Sequence, residues 1–398
     1  MAMDTLPLTA TAIGRFFHVK GSEVERYYKY HLSDFETWDQ KDHAVDWVLQ
    51  AKNIGPHCSI DETMLCEEIY TILSNKDRHG RKGSVIAIVK GTKAEVVSKI
   101  IKMIPEEARA QVTEITMDFS DSMYSIAKAC FPNATIVIDC FHIVQRLCES
   151  LEPMRLKFKR LAITENKKAA AAFAKEEERK AKKRAYYRKH HKKNPNEKRG
   201  RKRIRKQKYK PQVLSNGDTK VELLTRSRNL LTQSGDKWGK QKKERAKLLF
   251  ALYPKLGEGY SLICKIRAIF KRKICREEAK TRLHEWYDEV CKCTIREIKS
   301  ARDCIKSKEE EILNYFINRS TNASAESLNS KMKGFRAQLH GIADIPFFLY
   351  RVSTIVWIAS FYRGAPRKFS PAPLIPLIAL RMVVKLLPSS FANWVPVI

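Results

Sequence analysis

Acid is what this sequence is short of. Its 398 residues carry 44 Asp+Glu against 76 Lys+Arg, a formal net charge of +32, and the isoelectric point is about 9.8. An ordinary neutral metabolic enzyme is excluded by that balance. So large an excess of cations repels itself unless a polyanion is near, which makes nucleic acid the first partner to consider and an anionic membrane surface the second. Repeated C-x-x-C spacing is also missing among the ten cysteines (Cys58, Cys66, Cys130, Cys140, Cys148, Cys264, Cys275, Cys291, Cys293 and Cys304). A small disulfide scaffold and a compact zinc site are therefore disfavoured. No basic-then-apolar signal segment opens the chain, so reduced thiols in a cytoplasm are expected. The longest apolar stretch, Ile345 to Tyr362, is broken by Arg351 and is marginal for a bilayer, so it reads as a buried helix. No fixed-period repeat is found. With 43% hydrophobic and 9% aromatic residues, the chain can build at least one large core in two or three domains, and global disorder is ruled out.

Residues 9 to 32 read as two short helices, with Ile13, Phe16 and Phe17 on the first and Val24, Tyr27 and Tyr28 on the second. Gly21 is expected in the turn and Ser22 as N-cap. This outline fits a helix-turn-helix whose second helix enters a major groove, and equally any small helical hairpin. From Pro56 the pattern turns to strands: His57 to Thr63, Glu67 to Ser74, a basic turn from Lys76 to Gly83, and Val85 to Val89. A helix over Lys93 to Met103, a strand Val112 to Asp118, a helix Asp121 to Cys130 and a strand Thr135 to Asp139 follow. The last three have the lengths of a right-handed parallel crossover. The expected class is α/β, a mixed sheet with helices.

After Phe141 helical signals take over until about Arg363. Within this stretch Lys167 to Lys210 is dominated by Lys, Arg, Ala and Glu and includes the cations Lys198, Arg199, Arg201, Lys202, Arg203 and Arg205. Its second half is too charged to build a core, so a solvated linker or mobile arm is expected, compatible with phosphate contact. Amphipathic helices resume at Val221 to Leu231, Lys237 to Tyr253, Tyr260 to Phe270, Ala279 to Cys291 and Ile295 to Ile317. Trp238 and Trp286 on these helices suit either core anchoring or stacking on an unpaired base. The expected organisation is 1–55, a small helical region; 56–145, the first part of a catalytic core; 146–317, an all-helical insertion; 318–363, the final core helices; and 364–398, an unassigned tail.

Three acids stand out by placement. Asp61 is expected at the end of the first strand, Asp118 at the end of the fourth, and Glu326 in a helix starting near Asn322. Side chains at strand ends line the functional edge of an α/β sheet. Two such aspartates with a helical glutamate can hold two hard divalent cations about 3.5–4 Å apart, an arrangement suited to in-line attack on a phosphodiester. Glu326 is also the only acid between Ile312 and Ala343, among Arg319, Lys331, Lys333 and Arg336. Each acid has a structural alternative: Asp61 terminates a strand, Asp118 shares a turn with Asp121, and Glu326 complements a helix dipole. Asp121 is expected to cap its helix, and Glu62 to face away from Asp61. Asp139 either caps the next helix or serves beside the metal site. His142 is either structural or a donor near the scissile phosphate.

Taken together, these residues resemble the insertion-sequence transposases of the DDE type, most closely the ISL3 group in its Bacteroidetes branch. The matching stretches are Ser59 to Thr63, Gly80 to Gly83, Lys90 to Lys93, Val112 to Asp118, Cys130 to Ala134, Asp139 to His142, and, most specific, Asn318 to Lys333. The resemblance implies an RNase H-like fold interrupted by a long all-helical insertion. It assigns the triad to Asp61, Asp118 and Glu326, with Mg²⁺ (two ions, replaceable by Mn²⁺) as cofactor, and matches Asp139 and His142 to the C/D-x-x-H motif of transposases with such insertions. The implied function is binding of terminal inverted repeats followed by strand cleavage and transfer, in a bacterial, nucleoid-associated setting. The implied partners are double-stranded DNA at element ends and target, and a second copy of the chain on DNA. Relatives often begin with a zinc-binding segment and helix-turn-helix modules. Here only a short piece precedes Pro56, so end recognition is expected to be incomplete or supplied by a separately encoded protein. Lys331, Lys333 and Arg336, with the cationic run at 198–205, are the candidate DNA contacts. The alternatives are a transposase-derived DNA-binding protein without turnover and an RNA-processing nuclease of the same fold.

Overall fold

The computed structural model describes residues 3, 8–190, 208–339, 341–342 and 344–354. It divides into two compact units: residues 1–142 with 310–398, and residues 143–309.

The first unit is built on a six-stranded sheet in the order β1-β4-β3-β2-β5-β6. Its strands are β1 (Trp47–Leu49), β2 (His57–Leu65), β3 (Glu68–Asn75), β4 (Val85–Lys90), β5 (Glu114–Met117) and β6 (Thr135–Ile138). β2, β3 and β4 form an antiparallel meander, β5 runs parallel to β2 and β6 parallel to β5, and β1 adds an antiparallel edge beside β4. This mixed α/β sheet is the arrangement expected of an RNase H-like transposase core.

Strand alternation sorts β2 between two apolar layers. Cys58 and Ile60 join Leu73, Val89, Ile115 and Met117 under the helices Ala94–Ile101 and Asp121–Cys130. On the opposite face Leu65 joins Tyr70, Ile72 and Ile88 beneath Leu328, Met332 and Phe335 of the helix Ala323–Gln338, with Phe348, Leu349 and Val352 of the helix Ile345–Thr354. Asp61 has the parity of Leu65 and so belongs to the face that the Ala323–Gln338 helix covers.

Several expectations are corrected. β2 runs to Leu65, so Asp61 lies inside a strand. What ends beside it is the parallel ladder to β5, whose last pair is Ile60 with Met117. The cap of the Asp121–Cys130 helix is Ser120, whose hydroxyl accepts from the Met123 amide, and Asp121 is the first helical residue. Near the N-terminus the helices are Ala10–Phe17 and Gly21–Tyr27, followed by a π turn at Tyr28–Leu32. Gly21 opens the second helix, Lys20 takes the cap position in place of Ser22, and the turn residue is His18 in the left-handed region. Gly14 and Gly21 permit the two helices to touch: a Cβ on Gly14 would sit 2.6 Å from the Val19 carbonyl, and one on Gly21 2.7 Å from the Thr11 Cα.

The apolar stretch from Ile345 is a helix as far as Thr354, and the rest of it lies outside the described residues. Arg351 is buried within it. Its Nη2 donates to the carbonyls of Met3 and Leu8, and its guanidinium lies over the Phe335 ring, so the charge interrupting the apolar run ties down the N-terminal segment. No helix among the described residues is long and apolar enough to cross a membrane.

The second unit is all-helical. Its longest element, Glu152–His190, has 39 residues, about 58 Å at 1.5 Å per residue. The expected linker or arm at 167–210 is therefore helical over 167–190. Ala, Lys, Glu and Arg are strong helix formers, and a helix needs no apolar face where it is solvated all round. Past Ala162 none of its described residues is buried. Trp286 is a core anchor: it is buried and donates through Nε1 to the Leu262 carbonyl. Trp238 stacks on Tyr260 within the same unit. All ten cysteines are free.

Candidate active site

The segment after Glu310 returns to the sheet through polar anchors. Tyr124 donates to Glu311, Asn314 to the Ile136 carbonyl, and Asn318 to Glu114, whose carboxylate also pairs with Lys76 at 3.1 Å. Arg319, in the left-handed region, then turns the chain into the Ala323–Gln338 helix, which lies against β2. Asn322, Glu326 and Asn329 are spaced i, i+4 and i+7, so one stripe of this helix meets the rim of the sheet.

All five acidic-centre candidates converge there. Asp61 Oδ2 accepts from Asn329 Nδ2 at 2.7 Å, and its Oδ1 accepts from the Glu62 amide. Asp118, just past β5, accepts from Asn322 Nδ2 at 2.9 Å. His142 Nε2 lies 2.9 Å from Asp118 Oδ1 and 3.7 Å from Glu326 Oε1. Asp139 caps the next helix, its Oδ1 accepting from the Phe141 amide, and its Oδ2 accepts from the Asn322 backbone amide.

The charges are crowded. Burial above all, with Asp118 next, pushes the Asp61 carboxyl up to about 7. For His142 burial works against the charged form, but Asp118, Asp139 and Glu326 outweigh it and hold the imidazole above its usual range. A buried carboxylate beside like charges is relieved by a cation, and hard oxygen donors select a hard divalent ion. The donor set therefore fits such a metal. Asp139, His142 and Glu326 are the group among the described residues whose ligand atoms all lie within 4.8 Å of one another. That group overlaps the expected triad only at Glu326, and the imidazole sits between Asp118 and Glu326.

Of the expected DNA contacts, Lys331, Lys333 and Arg336 all lie on the Ala323–Gln338 helix. Lys333 is exposed, whereas Lys331 and Arg336 are half-buried, and burial pushes Lys331 down. Lys198, Arg199, Arg201, Lys202, Arg203 and Arg205 lie outside the described residues. Sequence reasoning missed Asn322 and Asn329. The available signal was their helical spacing about the lone acid Glu326.

No curated protein and no solved structure matches the chain. A family model described as a transposase, that of the ISL3 group of DDE enzymes, matches residues 58–352, from the start of the acid-bearing strand to the helix that buries Arg351. The chain belongs to the ISL3 family of DDE transposases.

Proposed function

We propose that this transposase binds the terminal inverted repeats of its own mobile element, cuts them by Mg²⁺-dependent phosphodiester hydrolysis, and joins the freed ends to target DNA. One observation carries this reading: Asp61 in β2, Asp118 just past β5 and Glu326 in a late helix meet at one rim of the sheet through the hydrogen bonds of Asn322 and Asn329 and the His142 bridge.

Asp61, Asp118 and Glu326 would hold the divalent ions, with Mn²⁺ able to replace Mg²⁺. Such ions supply activation of the attacking oxygen and stabilisation of the leaving one. The chain's own residues do the rest. In hydrolysis a water oxygen forms the new P–O bond while the P–O3′ bond breaks and the 3′ oxygen leaves protonated. In joining, that 3′-hydroxyl attacks a target phosphodiester, its oxygen forming the new P–O bond while the target's P–O3′ bond breaks and the target 3′ oxygen leaves protonated, so no covalent enzyme intermediate is required. His142, held toward its protonated form by three carboxylates, donates toward the scissile phosphate. Asp139 fixes the start of the helix carrying His142 and the approach of Asn322.

Lys333 on the site helix, the cationic outer half of Glu152–His190 and the run at 198–205 would bind phosphates, each neutralised phosphate steepening log K against log salt by about 0.9. Because two element ends are processed together, the active form is at least a dimer on DNA. The test is a supercoiled plasmid carrying both terminal repeats, incubated with protein and Mg²⁺. Nicks at the repeat ends are expected from the native chain and none from Asp118→Asn. Equal cleavage by both proteins overturns the catalytic assignment. Specific binding by the native chain without nicking supports a DNA-binding protein that does not turn over.

A further inference from the structure

Asn322 occupies the cap position of the Ala323–Gln338 helix yet makes no side-chain cap bond. An asparagine there ordinarily accepts from the amides of the first turn through Oδ1. Here Nδ2 reaches instead to Asp118 at 2.9 Å and to the Ile60 carbonyl at 3.4 Å, and Oδ1 is buried without a partner. Asn329 repeats the pattern two turns later. It is a poor helix former placed mid-helix, its Nδ2 donates to Asp61 at 2.7 Å, and its Oδ1 is also buried without a partner. Both side chains are more than nine-tenths buried. Two unrelated local rules are thus broken at i and i+7, on the stripe that carries Glu326 at i+4.

We propose that Asn322 and Asn329 are positioning residues for the acidic centre. Each amide nitrogen fixes one sheet aspartate, and each amide oxygen is left to accept from a water molecule on a hydrated hard divalent cation. A neutral amide suits this task. Lys or Arg would neutralise the carboxylate and compete with the cation, whereas an amide orients the carboxylate and leaves its charge available. Hard cations such as Mg²⁺ keep several of their waters when bound to proteins, and those waters give the two orphaned oxygens donors that the described residues do not supply. The helix therefore brings Glu326 and both orienting groups as one rigid piece. Partners of this kind typically govern metal affinity or activity by about 10- to 100-fold.

This inference deepens the proposed function and rests on its acidic centre. The test uses the full chain and Mn²⁺ alone, with free ion followed by its EPR signal, beside plasmid cleavage at graded Mn²⁺ concentrations. Asn329→Leu, which preserves volume in an apolar layer, and Asn329→Ala are each expected to weaken Mn²⁺ binding about tenfold or more. The cation concentration for half-maximal cleavage should rise in parallel, with the rate largely recovered at saturating Mn²⁺. Asn322→Ala should behave likewise. Asp61→Asn should abolish the tight Mn²⁺ binding, which marks the site. A folded variant, checked by circular dichroism and thermal melting, with native Mn²⁺ affinity and native metal dependence overturns the proposal while leaving the cleavage reading intact. Weakened Mn²⁺ binding in the asparagine variants, with no cleavage even by the native chain, supports the proposal and removes the cleavage reading.

Discussion

Two buried aspartates, one in each unit, show what separates chemistry from architecture in this molecule. Asp218, in the helical unit, is enclosed by Arg226, Arg245 at 3.0 Å and Asn216 at 2.9 Å. Burial opposes its charge, but the two guanidiniums outweigh that and hold its carboxyl below the usual range. Asp61, in the sheet unit, has an amide for a partner and carboxylates for neighbours, and its carboxyl is pushed up to about 7. Both are almost inaccessible to solvent. The helical unit satisfies its buried charge internally. The sheet unit surrounds its own with like charge, and groups perturbed in this way cluster at functional sites.

The largest expected effect tests this contrast at the chemistry. Asp118→Asn should lower plasmid cleavage in Mg²⁺ by about 1000-fold or more, since several kcal/mol of transition-state stabilisation is at stake. Gel analysis of nicked plasmid reads the loss, and the melting temperature should remain close to native.

The next is a pH effect with a defined sign. The folded carboxyl of Asp61 titrates near 7 and the unfolded one near the ordinary value of about 3.9. Between those values the folded protein binds the additional proton, so this group makes stability fall as pH rises from about 4 to 7. The effect is on the order of 4 kcal/mol for a shift of this size. In metal-free thermal melts at pH 8, Asp61→Asn should therefore melt at or above the native protein. Stabilisation of the native chain by Mn²⁺ should grow across the same pH range, as the ion displaces that proton, and be lost in the variant.

Asp218→Asn should do the opposite: lower stability by about 2 kcal/mol at neutral pH, because it removes the charged acceptor that Arg226 and Arg245 share, and leave the metal dependence of cleavage unchanged. Urea unfolding measures the first and Mn²⁺ titration the second. Gly14→Ala should cost about 1–2 kcal/mol, since its Cβ would meet backbone atoms that cannot yield, and limited proteolysis before residue 33 reads it. The smallest effect belongs to Lys333→Ala, expected to reduce the slope of log K against log salt for DNA binding by about 0.9.

Much of the sheet was legible because each of its long strands carries a run of β-branched and apolar residues with turn residues at its ends. Asp118 stood out at the end of its strand; Asp61 stood out by the same sign although its strand runs on to Leu65, and Glu326 stood out by its isolation among cations. β1 was not: Trp47–Leu49 is three residues long with one fully buried side chain, and it exists only through pairing with β4, some forty positions away. The length of Glu152–His190 was hidden because a helix without an apolar stripe has no periodic signature. Asn322 and Asn329 were hidden for a related reason. Polar residues on a helix read as solvated surface until the sheet beneath them is known, and only then does the spacing about Glu326 acquire meaning.

The stripe of Asn322, Glu326 and Asn329 also sets an order in time. While the chain emerges from the ribosome, Asp118 is made 204 residues before the amide of Asn322 that reaches it, and Asp61 268 residues before that of Asn329.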